Sequence, residues 1–144
     1  MELREFEKEV AISLNNVDQG DTVNSFIYGY EDLTPSEKKL IKENPWVAFK
    51  AKVCADIAWN ITESRYGQGH NDWRDAFRHG LWNALMVRDI GIVWASKWAT
   101  AHEDNPRQPK IEKEMDLYNN WKGRQLGSSG GNNSNTGMQI KQKN

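Results

Sequence analysis

Residues 72–91 read DWRDAFRHGLWNALMVRDIG, and the periodicity of this stretch decides the fold. At about 100° per residue, Phe77, Leu81, Ala84 and Leu85 gather on one side of a helix. Asp72, Asp75, His79 and Asn83 fall within about 80° of one another on the other side. Trp82 and Met86 border that polar line. A row of two carboxylates, an imidazole and an amide, edged by large apolar side chains, is expected to be buried. Gly91 stops the helix.

The same signals recur on either side. Thr34-Pro35-Ser36-Glu37 is a helix start: Thr34 caps, Pro35 suits the first helical position and Glu37 reaches back to the cap amide. That helix runs to about Glu43. Asn44-Pro45 repeats the start, and residues 46–66 read as a long helix. Trp46, Phe49, Val53, Ile57 and Ile61 recur in it, and Ala48, Ala51, Ala55 and Ala58 permit close packing. Gly67-Gln68-Gly69 ends it. Ile92 to Ala101 forms a further helix with Trp94 and Trp98 on one side, and Asn105-Pro106 and Pro109 mark a loop. The last helix runs from about Lys110 to Leu126 and stops at Gly127. On it Glu112, Asp116, Asn119, Asn120 and Gly123 lie within about 100°, while Leu117, Tyr118 and Trp121 take much of the other side. Gly123, a poor helix former, implies close approach of another helix or of a ligand. Leu3, Phe6, Val10 and Leu14 predict an amphipathic N-terminal helix.

These elements predict an all-α chain, a compact bundle of about six helices with short loops. The alternative is α+β, with a small strand pair near residues 22–30. The chain divides into an N-terminal helix and loop (1–32), a helical core (33–127) and a Gly/Ser/Asn-rich tail (128–144) that has almost nothing to bury and reads as disordered.

The 144 residues amount to one domain, and the formal net charge of −1 excludes a bulk electrostatic grip on nucleic acid or an anionic membrane. One cysteine, Cys54, excludes an internal disulfide framework. No apolar run is long enough to span a membrane, and residues 1–10 lack the apolar stretch of a standard secretory signal. The expected location is cytoplasmic, or exported by a route without that signal. Seven tryptophans among few aliphatics suggest a core of large rings with polar groups between them.

Three helices thus offer Asp75/His79, His102/Glu103 and Asp116/Asn120. Facing helices of a bundle bring such groups together. His79, His102, Glu103 and Asp116 make a shell for one divalent metal such as zinc, manganese, iron or calcium, which would activate a water. The order His79, His102-Glu103, Asp116 is similar to that of HD phosphohydrolases, with Glu in place of Asp and shorter spacings. A metal-free version uses an Asp-oriented His79 as general base, with Arg78 or Arg124 stabilising an oxyanion. Each residue also has a plainer reading. Asp72 or Asp75 caps a helix, His79 is a hydrogen-bonded core histidine, His102-Glu103 is a helix end, His70 is solvated in a Gly-rich loop, and Asp116, Asn119 and Asn120 fix helix register.

The runs NDWRDAFRHGLWNALMVRDIG, WASKWATAHEDNP and EKEMDLYNNWKGRQLG, preceded by LTPSEKKLIKENPWVAFKAKVCADIAWN, resemble a bacterial domain of unassigned function. That domain occurs alone and at the C-termini of Rhs-type and wall-associated, polymorphic-toxin-like proteins. The matching positions are Asp75, Ala76, Arg78, His79, Trp82 and Asn83, then His102 and Glu103, then Met115, Asp116, Leu117, Asn119, Asn120, Gly123 and Arg124. Tyr118 stands where His is usual in that domain, and Gly80 where Ala is. The resemblance implies a bacterial or phage origin and an effector-type activity.

The functional expectation is a small helical hydrolase of phosphoesters or lipid esters. His79 and His102 act as ligands or base, Asp75, Glu103 and Asp116 as ligands or orienters, and Arg78 or Arg124 as the anion clamp. Its substrate is a small or lipid-like molecule. The competing expectation is a non-catalytic binding module, with the polar cluster as a structural network and exposed tryptophans meeting a protein partner.

Overall fold

The computed structural model describes residue 8 and residues 10–12, 33–67 and 72–130. Four helices are complete within them: α1 (Pro35–Glu43), α2 (Pro45–Tyr66), α3 (Trp73–His102) and α4 (Lys110–Gly130). Residues 10–12 are helical too, and their Val10 and Ala11 are buried in the core. The described residues are all-α, with no strand among them. The expected strand pair at 22–30, the loop over 15–32, most of the N-terminal helix, His70, and the tail beyond Gly130 lie outside the described residues.

The caps are those the sequence predicts. Thr34 and Glu37 form a reciprocal capping box on α1, and the Asn44 side chain opens α2 by accepting from the Val47 amide. Gly67, at φ 78°, ends α2. The Asp72 carboxylate accepts from the Arg74 and Asp75 amides at the start of α3. Capping therefore falls to Asp72 and leaves the Asp75 side chain for other work.

Gly91 has φ 85° and ψ 164° inside α3, a backbone conformation open almost only to glycine. It breaks α3 into two arms, 73–90 and 92–102. A straight helix would hold residues 79 and 103 roughly 36 Å apart, at about 1.5 Å per residue. Instead, the Glu103 carboxylate lies 3.7 Å from the His79 ring, so the second arm returns alongside the first. Ile92 and Val93 are exposed at the corner.

After the 103–109 loop, α4 runs in the same direction as the first arm of α3, with residue 80 against 123 and 84 against 127. A Cβ on Gly123 would stand 2.3 Å from the Gly80 carbonyl oxygen, and one on Gly127 would stand 2.8 Å from the Ala84 Cα. The two backbones touch. This contact also explains why α4 does not stop at Gly127 as expected. Gly127 is buried against Ala84, and residues 128–130, expected in the tail, extend the helix.

The apolar core lies between α2 and the first arm of α3. Phe77, Leu81, Leu85, Met86, Cys54, Ala48 and Ala58 are fully buried there. Each of the large side chains contributes about 1.5–3 kcal/mol. The Trp82 indole N–H donates to the Ala51 carbonyl at 3.1 Å, so this core ring also binds α2 in register. α4 packs the other way round. Its polar row, Asp116, Asn120 and Gly123, faces inward, and Ile111, Met115, Leu117, Tyr118 and Trp121 face solvent.

Two glycine substitutions separate these constraints. Gly91→Ala meets no neighbour but forces an unfavourable backbone, and is expected to cost about 1–3 kcal/mol in urea unfolding. Gly123→Ala should cost a similar amount through collision, although alanine is the better helix former by about 1 kcal/mol. A stabilised Gly123→Ala protein would contradict the close crossing.

Candidate functional site

The two arms of α3 and the start of α4 converge on His79. One turn of helix upstream, the Asp75 backbone carbonyl lies 2.9 Å from His79 Nδ1. A carbonyl can only accept, so Nδ1 carries a proton. In the neutral ring Nε2 is then a bare lone pair. Nε2 faces Glu103 Oε2 at 3.7 Å and Asp116 Oδ1 at 3.8 Å. These separations are too long for hydrogen bonds. Side chains from three segments thus meet at His79 Nε2. The residues are buried, with Glu103 only 2% exposed and its Oε2 without a hydrogen-bond partner.

The far oxygens of the two carboxylates are held by one side chain. Gln108 Nε2 donates to Glu103 Oε1 at 3.1 Å and to Asp116 Oδ2 at 2.9 Å. Asp75 completes the acidic wall, with its Oδ1 3.5 Å from His79 Nδ1. That oxygen is paired with the Arg78 guanidinium, which lies 4.6 Å over the Trp59 ring. Burial, together with the Glu103 and Asp75 carboxylates, pushes Asp116 up to about 6 against the opposing pull of His79.

His102 approaches from the more open side. Its ring centroid is 6.3 Å from that of His79 and 5.2 Å from Trp82, and about half of its side chain is exposed. His102 Nδ1 lies 3.2 Å from Glu37 Oε2, while Glu37 Oε1 accepts from the Thr34 amide. One carboxylate thus caps α1 and orients the His102 ring. Burial alone would lower His102, but the hydrogen bond and charge of Glu37, with the Glu103 charge, raise it above the ordinary histidine value. Burial likewise pushes Glu37 up, and the bond and charge of His102 outweigh it, leaving Glu37 below its usual range. Thr34 Oγ1 donates to the Ala101 carbonyl at 2.7 Å and Ser36 donates to Asp104, so α1 locks the end of α3 in place.

All six residues expected at a site, His79, Asp75, His102, Asp116, Arg78 and Arg124, lie on the helices that meet here, but they do different things. His79, His102 and Glu103 each offer a ligand atom within 4.8 Å of the others, as do Asp75, His79 and Asp116. Arg124 lies one layer along the α3–α4 seam and donates to Asn83 Oδ1 at 2.9 Å. Asn83 in turn donates to the His79 carbonyl and to Asn120. Asn83, Asn120 and Arg124 thus form a second hydrogen-bonded layer between α3 and α4, and burial lowers the Arg124 pKa within it. Sequence reasoning missed two residues of the site. Glu37 shows only its capping role in the sequence. Gln108, in a loop between prolines, carries no periodic signal.

The fold and site together define an all-helical domain with a buried histidine–carboxylate centre. The chain belongs to the family described as Domain of unknown function (DUF6973), which it matches over residues 38–144. No curated protein and no solved structure matches it.

The Asp116 shift has a sign that can be measured. Its folded-state value, about 6, lies above the ordinary carboxylate value of 3.8. Its contribution to stability is therefore complete below the unfolded value and is lost as pH rises through about 6. In chelator-treated protein, Asp116→Asn should flatten that decline and melt higher than wild type above pH 7. Unchanged pH profiles in the two proteins would contradict the buried acidic cluster.

Proposed function

We propose that this protein is a metal-dependent hydrolase whose centre is a divalent cation held by His79 Nε2, Glu103 and Asp116, with His102 and Asp75 beside it, and whose substrates are phosphoesters. The observation that carries this reading is that His79 Nε2 faces one oxygen of Glu103 at 3.7 Å and one oxygen of Asp116 at 3.8 Å, both beyond hydrogen-bond length. Ligands about 2.1 Å from a tetrahedral ion lie about 3.4 Å from one another, so a shift of a few tenths of an ångström closes the gap on a metal. The surroundings agree. Two carboxylates buried beside one imidazole are offset by positive charge placed between them, which a bound cation would supply. His79 also carries the support typical of a metal ligand, with its Nδ1 tied to a backbone carbonyl.

A zinc or manganese ion bound there would supply an acidified water and a Lewis acid for the ester oxygen. The chain's own groups do the rest. His102, on the exposed side, holds a proton for the leaving group through its bond to Glu37. Arg78, partly exposed and next to His79, meets the substrate anion by exchanging its Asp75 contact for it. The resemblance to C-terminal domains of Rhs-type proteins supports a bacterial effector role in which this domain is the acting part.

A second reading, a protein-binding module, is favoured by the outward apolar face of α4, with Trp121 and Tyr118 about half exposed.

The experiment is metal analysis combined with hydrolysis assays on phosphomonoesters, phosphodiesters and lipid esters. The wild type should retain about one divalent ion per chain and lose activity in EDTA. His79→Ala and Asp116→Ala should remain folded, lose the ion and lose activity by at least about 100-fold. Wild-type protein with no affinity for zinc or manganese would overturn the reading, and activity confined to lipid esters would move the substrate class.

A further inference from the structure

We propose that Gln108 is the positioning residue of this centre, dividing each carboxylate into an oxygen bound to the protein and an oxygen left for the cation. The inference rests on the metal reading above and goes beyond it, to a residue that touches neither ion nor substrate. The Gln108 amide nitrogen donates to Glu103 Oε1 at 3.1 Å and to Asp116 Oδ2 at 2.9 Å. Both of its partners accept only, so the two amide hydrogens are spoken for and the orientation of the amide is fixed. The oxygens left over, Glu103 Oε2 and Asp116 Oδ1, are the ones that face His79 Nε2. One side chain therefore sets which oxygen of each acid points inward, and holds two like charges on facing segments at a fixed separation.

Gln108 is itself held. Its backbone amide donates to the Asn105 carbonyl at 3.1 Å, and the Arg107 amide donates to Asn105 Oδ1 at 3.0 Å, which folds the loop between the arms of the site. The arrangement leaves the Gln108 side-chain carbonyl buried with no hydrogen-bond partner among the described residues. An orphan of that kind costs about 1–3 kcal/mol, so loop stability alone does not account for a glutamine here. Bridging two metal-facing carboxylates does, because outer contacts of this type fix ligand orientation.

The test is the affinity of the full-length chain for zinc and for manganese, measured by competition with a chromophoric chelator, with folding checked by circular dichroism. Gln108→Ala should weaken both ions by about 10–100-fold. Gln108→Glu, nearly the same shape, should weaken them too although it adds negative charge, because it removes the two donors. Either folded variant binding as tightly as wild type, or a tighter Gln108→Glu, would overturn the proposal. The two readings fail differently. If His79→Ala binds like wild type, the metal centre itself is wrong and this inference falls with it. If His79→Ala loses the ion while the Gln108 variants keep it, only the role of Gln108 is wrong.

Discussion

The reversal at Gly91 is the constraint on which the site depends. A positive φ at one residue folds α3 back on itself, and the returning arm delivers His102 and Glu103 to the level of His79. Without that turn the two histidines would sit at opposite ends of a rod. The second constraint follows from the first. α4 must lie along the same arm closely enough for Asp116 to reach His79, and Gly80 and Gly123 allow it by leaving no side chain between the backbones. The small residues of this seam thus set the width of the polar centre. A bulkier pair would push the acids out of reach of the imidazole.

Electrostatics then give the centre its character. Burying Asp75, Glu103 and Asp116 around one ring is costly unless something positive joins them. Arg78 answers for Asp75, and Gln108 neutralises none of the charge on the other two while fixing their direction. The high pKa of Asp116 expresses the remaining imbalance: without another cation, this group holds a proton at pH values where an ordinary aspartate has lost it. One layer away, Asn83, Asn120 and Arg124 are joined by side-chain hydrogen bonds, and there the polar stripe ties α3 to α4. The same row of residues on α3 therefore does two jobs, divided between His79 and Asn83.

Much of this was legible in the sequence. Caps at Thr34, Asn44 and Asp72 mark three helix starts, and Gly67 and Gly91 mark stops, because each rests on local chemistry. The polar rows on α3 and α4 are visible as periodicity. What periodicity does not carry is direction: Gly91 announces a break, but not that the next arm turns back. Nor does it say which face of α4 is inside, since a row of Asp and Asn opposite Leu, Tyr and Trp ordinarily faces water. Here tertiary contact overrides the pattern and the polar face is buried. Gly127 misled in the same way. It reads as a terminator until Ala84 is seen pressed against it. Gln108 was out of reach, because a loop glutamine acquires meaning only when two distant carboxylates close over it.

Anomalous diffraction from crystals grown with zinc tests the gap between His79, Glu103 and Asp116 most directly. A metal centre there gives one strong peak at about 2.0–2.2 Å from His79 Nε2 and from one oxygen each of Glu103 and Asp116. A featureless gap, or a protonated His79 Nε2 bonded straight to a carboxylate, would contradict it.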